Sequence, residues 1–222
     1  MSQSIVLKLV MKDLRLAWPL VAGSLILGVL SLAVSPWSAV AFFVGGSALI
    51  VALILLNIML VTSSLMSERK EKIRVFMLSM PVSTTEYNVA KLLSSLIAYL
   101  VPAVLLTLGG VVLLLVTPLP NGFIPLFVAT SVHCLFYFCV FLAFALVTDS
   151  QGWITTVIVS GNVSISFLVP GLINLSSVGP NLPTDSIVWG ADVVTLMTVE
   201  LVLAAAALAI SFVVNSKKTE FV

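Results

Sequence analysis

The sequence predicts an all-α membrane protein, a single transmembrane domain over residues 1–222 in which six helices cross the bilayer. Three observations predict it. Hydrophobic residues make up 60% of the chain and charged residues only 9%, with a mean hydropathy of +1.25. Six separate stretches are each long and apolar enough to span. Every lysine and arginine falls in segments that a six-span thread would place on one side. A soluble domain needs about 25% charged residues to cover its surface, and a chain this short leaves roughly a third of its surface exposed. That surface must therefore face lipid. A net charge of +1 provides no basic footprint for nucleic acid.

A helix needs about 20 apolar residues to cross the hydrocarbon layer. The stretches at about 16–34, 40–64, 89–116, 123–147, 152–175 and 194–214 meet that length. Between the first two lies a tight turn with Trp37 as an interfacial anchor. A Pro-Leu-Pro-Asn-Gly turn separates the third from the fourth, and Trp153 marks the interface at the start of the fifth. The first apolar run is followed by no small-residue cleavage pattern, so it is expected to remain as a span rather than be removed. Cys134 and Cys139 share one apolar stretch and read as buried or lipid-facing thiols, not a disulfide.

Orientation follows from the basic residues. Lys8, Lys12 and Arg15 precede the first span; Arg69, Lys70, Lys72, Arg74 and Lys91 lie between the second and third or at their edges; Lys217 and Lys218 follow the sixth. The three loops on the opposite side have none. The positive-inside rule then places both termini in the cytoplasm, in a bacterial plasma membrane.

Two cytoplasmic segments do not span. Lys8, Lys12 and Arg15 fall at i, i+4 and i+7, with Val6, Leu9, Val10 and Leu14 over much of the remaining surface. This pattern predicts an amphipathic helix over residues 1–15, lying at the interface with its basic face toward anionic headgroups. After the second span, charges crowd residues 67–74, and Ile73, Phe76, Met77 and Met80 form an i, i+3, i+4, i+7 stripe that Pro81 ends. Ser83-Thr84-Thr85-Glu86 then reads as a capping box opening the next helix. A short amphipathic helix, a stiff corner and a capped entry can transmit a push from a bound partner into the bundle. On the other side, the connection before the sixth span has Gly179-Pro180 and Pro183, then the apolar Ile187-Val188-Trp189. Short re-entrant or interface-lying helices are expected there.

These features resemble the membrane subunit of type-2 ABC exporters, the ABC-2 permease family. The resemblance covers essentially the whole chain. Lys12-Asp13-Leu14-Arg15 ends the N-terminal helix, six spans follow, and the cytoplasmic segment runs Glu68-Arg69…Lys72…Phe76-Met77-Leu78-Ser79-Met80-Pro81-Val82-Ser83…Glu86-Tyr87…Ala90-Lys91. The corner Met80-Pro81-Val82-Ser83 with its flanks is the specific part. The resemblance implies a pair of permeases, homodimeric or heterodimeric, above two separate ATPase subunits that bind ATP and magnesium. It implies that Glu68, Arg69, Lys72, Ile73, Phe76, Met77 and Met80 form a coupling helix that contacts the ATPase. It also implies a path at the dimer interface, lined largely by the second and fifth spans. The sequence has no Gly-rich loop ending in Gly-Lys-Ser/Thr, so ATP phosphates are not cradled here by that device. The chain is expected to be no enzyme and to bind no cofactor or metal itself.

Polar residues within spans are the remaining candidates, because a charge at the centre of a spanning helix costs about 2.5–3.5 kcal/mol. Glu200 lies about two turns into the sixth span, where it is read as part of an exit gate, as a partner of Asp192 through water, or as a neutral or interface-reaching group. His133 is the only histidine. A proton relay would need an ionisable partner at similar depth and none is evident, so a hydrogen bond to a neighbouring helix is expected. Thr156, Ser160 and Ser164 recur every four residues in the fifth span, a spacing that serves a dimer seam, a path lining or packing within one subunit. Asn57 in the second span is expected to face a partner or the path, since lipid would leave its amide unpaired.

The function expected is export of an amphipathic or apolar substrate such as a peptide, an antimicrobial peptide, a drug or a lipid. Alternatives are an ion-gradient-driven transporter, which would need paired ionisable residues near the midplane, and a non-transporting immunity or assembly protein. An intramembrane enzyme would need a Ser/His, paired-Asp or metal-ligand arrangement at matched depth.

Overall fold

In a computed structural model, residues 3–63, 84–148 and 150–216 are described, and all of their regular structure is helical. Six helices follow one another: α1 Gln3–Val34, α2 Ala39–Val61, α3 Thr84–Val116, α4 Phe123–Val147, α5 Gln151–Ile173 and α6 Ala191–Ser216. All six are long and apolar enough to cross a membrane. A 3-10 turn at Ser35–Trp37 leads to α2, whose first turn is capped by Ser38: its hydroxyl accepts the Ala41 N–H at 3.0 Å. That contact satisfies one of the backbone donors a helix start leaves free.

Two features differ from the sequence expectation. The segment expected to lie along the interface and the first span form one helix, α1, 32 residues long. At 1.5 Å per residue it extends about 48 Å, well beyond a hydrocarbon layer of about 30 Å. Nothing between Arg15 and Pro19 breaks it, and part of the apolar surface of its first turns packs on protein, while Leu7 and Met11 stay exposed. Val6 and Val10 are buried against Ala90 of α3, with Leu9, Leu14 and Val89 around them. The second difference lies between α5 and α6. In place of re-entrant helices there is one 3-10 turn, Gly179–Asn181, within turns and extended chain. Pro180, Pro183 and Gly179 deny this stretch a continuous run of helical hydrogen bonds.

The helices form two groups joined by α4. α1 packs along α3 and α2; α6 packs along α4; α5 docks chiefly on α4. α4 has no acidic or basic residue other than His133, and its Phe138, Phe141 and Leu142 are fully enclosed. Tyr99 of α3 stacks flat on Phe138, ring centroids 4.1 Å apart. Lipid offers little hydrophobic drive for helices to associate, so such close ring packing and interhelical hydrogen bonds must hold the bundle.

The ends of the helices alternate as a six-span thread requires. At one end Phe42 of α2 meets Phe123 of α4, with ring centroids at 4.8 Å. There also Gly122 donates its N–H to the Thr184 carbonyl at 2.9 Å. A Cβ at Gly122 would lie 1.8 Å from the Asn181 carbonyl oxygen, so only glycine lets the α3–α4 turn support the 174–190 connection. Gly122→Ala is expected to cost about 1–3 kcal/mol by overpacking, read as a lowered melting temperature of the purified chain.

At the opposite end, α1 and α3 share a buried ion pair. Lys91 Nζ lies 3.0 Å from Asp13 Oδ2, and both side chains are almost fully enclosed. Ser94 Oγ lies 3.3 Å from the same Asp13 oxygen and 3.1 Å from the Lys91 carbonyl, while Lys12 reaches the other Asp13 oxygen at 3.4 Å. The Lys91 ammonium also lies 5.8 Å from the centre of the Tyr87 ring. Glu86 and Asn88 are buried beside it in sequence. Asp13, at the end of the expected interface helix, and Tyr87 and Lys91, entering the third span, thus form one joint.

Candidate functional site

The polar groups of α4, α5 and α6 converge at one level. His133 lies ten residues after the first residue of α4, Ser164 nine before the last of α5, and Glu200 nine after the first of α6. Those three ends belong to the same side of the bundle. At 1.5 Å per residue each side chain therefore lies about 14 Å deep, close to half the hydrocarbon thickness.

The geometry is that of a connected chain. His133 Nδ1 is 2.6 Å from Glu200 Oε1, and His133 Nε2 is 3.0 Å from Ser164 Oγ. His133 and Glu200 are each 6% exposed. The second carboxyl oxygen of Glu200, Oε2, is buried with no hydrogen-bond partner among the described residues. The ionisable partner that sequence reading did not find for His133 is therefore Glu200. Asp192, expected to share water with Glu200, is engaged elsewhere. It accepts the Ser177 hydroxyl at 2.6 Å and the Val193 N–H at 2.9 Å. It thus ties the 174–190 connection to the start of α6.

The approach of α5 to α4 is set one turn away from this chain. Tyr137, one turn beyond His133, donates its hydroxyl to the Val157 carbonyl. Its ring fills the space where Gly161 lacks a side chain; a Cβ there would lie 1.7 Å from the ring. Gly161 also accepts the Ser164 hydroxyl on its carbonyl at 2.7 Å. A notch, a hydroxyl that bonds into it and a histidine that reads that hydroxyl thus fix the two helices at one register.

A Ser–His–Glu sequence of contacts invites comparison with a nucleophilic triad, in which the serine proton is directed at the imidazole. Here it is not. The Ser164 hydroxyl has one hydrogen, and a carbonyl oxygen at 2.7 Å can only accept it. With its hydrogen on the Gly161 carbonyl, Ser164 Oγ presents a lone pair to the imidazole rather than a proton. Among the described residues no group of three His, Cys, Asp or Glu side chains is arranged to hold a metal ion.

The other expected site residues separate into three groups. Thr156 and Ser160 lie on the uncovered side of α5. Each hydroxyl is returned to its own helix, to the Gly152 carbonyl at 3.0 Å and the Val157 carbonyl at 2.9 Å. They do not pack within the chain, although Ser164 of the same stripe does. Asn57 is 1% exposed in the interior of the bundle, and its Oδ1 has no partner among the described residues. The turn of α2 that bears it is enclosed within the chain: Leu53, Leu56 and Leu60 around it are also buried. Glu68, Arg69, Lys72, Ile73, Phe76, Met77 and Met80 lie outside the described residues.

A family model described as "ABC-2 family transporter protein" matches residues 8–219. No curated protein and no solved structure matches the chain.

Proposed function

The chain belongs to the ABC-2 transporter family, and from that premise we propose that it is the permease of an ATP-driven exporter for amphipathic or apolar cargo. As a multi-pass membrane component of that family it associates with ATPase subunits in general terms. In this reading two ATPase subunits hold ATP and magnesium and perform the hydrolysis. A second permease, identical or homologous, completes the path. The orientation is that of the positive-inside rule, in a bacterial plasma membrane, with the Asp13–Lys91 joint at the cytoplasmic end.

The observation that carries the reading is the uncovered face of α5. Trp153, Val159, Val163 and Phe167 are exposed there beside Thr156, Ser160 and Ser166. A face of aromatic and aliphatic groups with hydroxyls, and no charge along its length, suits a seam with a second copy. It also suits contact with a peptide-like or lipid-like cargo, and it offers little to a free ion or sugar. The coupling assignment of Phe76 and Met77 supplies the test. With the chain and its ATPase reconstituted together, Phe76→Asp with Met77→Asp is expected to abolish cargo export and cargo-stimulated ATP hydrolysis while membrane insertion is unchanged. Normal export and stimulation in the double variant would refute the reading.

A gradient-driven transporter is favoured by one observation, the ionisable His133–Glu200 pair at matched depth. The two readings separate in proteoliposomes. Export that requires ATP and survives a protonophore belongs to the first, and export that collapses with the proton gradient belongs to the second.

A further inference from the structure

We propose that His133, Glu200 and Ser164 form a binding site for a single proton, and that this proton is what joins α4 to α6. The argument is one of hydrogen-bond direction. Ser164 directs its only hydroxyl hydrogen to the Gly161 carbonyl at 2.7 Å, so the contact from His133 Nε2 to Ser164 Oγ at 3.0 Å requires a hydrogen on Nε2. With Nε2 protonated, Nδ1 of a neutral imidazole presents a lone pair. A lone pair cannot lie 2.6 Å from a bare carboxylate oxygen. One further proton must occupy that gap, on the nitrogen or on the oxygen. Either arrangement is neutral overall, as a site near mid-bilayer depth demands. Loss of that proton would leave a net negative charge in the bundle and two opposed lone pairs between α4 and α6.

Among the described residues no other charge competes for this role. α5 has no ionisable side chain, and α6 contributes only Asp192 besides Glu200, two turns away and bonded to Ser177. On α4 the neighbours are the buried Cys134 thiol and Tyr137, whose hydroxyl is bonded to Val157. α2 presents the amide of Asn57. α3 presents Tyr99, with Glu86 and Lys91 at its far end. The second Glu200 oxygen, unpartnered, leaves the carboxyl free to hold its proton on Oε1.

Because His133 is the only histidine, the site can be read directly. The full chain, labelled with ring-15N histidine and placed in lipid nanodiscs, should give one imidazole spectrum. The expected result is a one-bond hydrogen coupling on Nε2 and a strongly hydrogen-bonded proton between Nδ1 and a carboxyl. Nε2 bare with hydrogen on Nδ1, or Nδ1 with no proton in contact, would overturn the proposal from the unmodified chain alone. Glu200→Gln gives a second reading. Its amide donates a hydrogen to Nδ1 without sharing one, so the Nδ1 resonance should move to that of an ordinary acceptor while Nε2–H persists. The join has its own readout: Glu200→Met, which leaves nothing to bond Nδ1, should melt lower than both the unmodified chain and Glu200→Gln, and equal melting temperatures would overturn the claim that this hydrogen bond joins the helices.

Discussion

Lys91→Met is expected to lower the stability of the folded bundle by about 3–5 kcal/mol, the range for removing one partner of a buried ion pair. The side chain is almost fully enclosed and its ammonium lies 3.0 Å from Asp13. Methionine fills a similar volume, so the loss is electrostatic rather than steric. Asp13 would keep the Ser94 hydroxyl and the half-exposed Lys12. Neither replaces a buried counter-charge. The consequence reaches further than stability, because Asp13 is on α1 and Lys91 on α3, directly after the segment assigned to the ATPase contact. In the proposed coupling scheme, a push delivered ahead of α3 would reach α1 through this ion pair. Removing the cation should therefore weaken the coupling of ATP hydrolysis to export as well as the fold. Asp13→Leu combined with Lys91→Met should recover part of the stability, since the Asp13 carboxylate is no longer left buried without this ammonium, without restoring coupling. Unfolding can be followed with a thiol-reactive fluorogenic dye, because Cys134 and Cys139 are both free and buried and become reactive only when the bundle opens.

The number of spans was legible because it rests on length and apolarity, which the bilayer imposes on each segment separately. Interhelical pairing was less so. In the sequence His133 stands alone, since its partner is 67 residues away and no local period joins them. Counted from the span ends expected from sequence, His133, Ser164 and Glu200 lie about 10, 11 and 6 residues in; the end of α5 at Ile173 and the start of α6 at Ala191 bring them to ten, nine and nine. Depth measured from a common face, not proximity in sequence, identifies such partners. The α1 segment failed for a related reason. Its stripe of Val6, Leu9, Val10 and Leu14 has the period of a surface helix, and a period cannot say whether lipid or another helix covers it. The cover is Val89 and Ala90 of α3, brought close by the Asp13–Lys91 pair. The 174–190 connection was misjudged because its apolar Ile187, Val188 and Trp189 suggested insertion, while its backbone is spent on Gly122, Asn181 and Thr184 hydrogen bonds.

Gly161→Ala separates a steric account of the α4–α5 contact from a conformational one by its sign. Glycine within a helix is normally a weakness, and alanine in its place stabilises by about 0.5–1 kcal/mol. At Gly161 the expectation is the reverse. The added Cβ would lie 1.7 Å from the Tyr137 ring. That ring cannot simply swing away, since its hydroxyl is bonded to the Val157 carbonyl and Tyr137 is buried. Either α5 moves outward or the Tyr137 bond breaks. Overpacking of this kind costs about 1–3 kcal/mol. An outward shift would also draw Ser164 from His133 and leave Nε2–H unsatisfied, for about 1–3 kcal/mol more. Gly161→Ala should therefore melt lower than the unmodified chain in the thiol-exposure assay. Tyr137→Ala removes the obstructing ring, so in that background the same substitution should become neutral or stabilising. The difference between the two backgrounds is the coupling energy of the pair. A stabilising Gly161→Ala in the unmodified chain would mean that α5 does not rest in the notch. Thr156, Ser160 and Ser164 would then lack the fixed register in which two face outward and one binds inward.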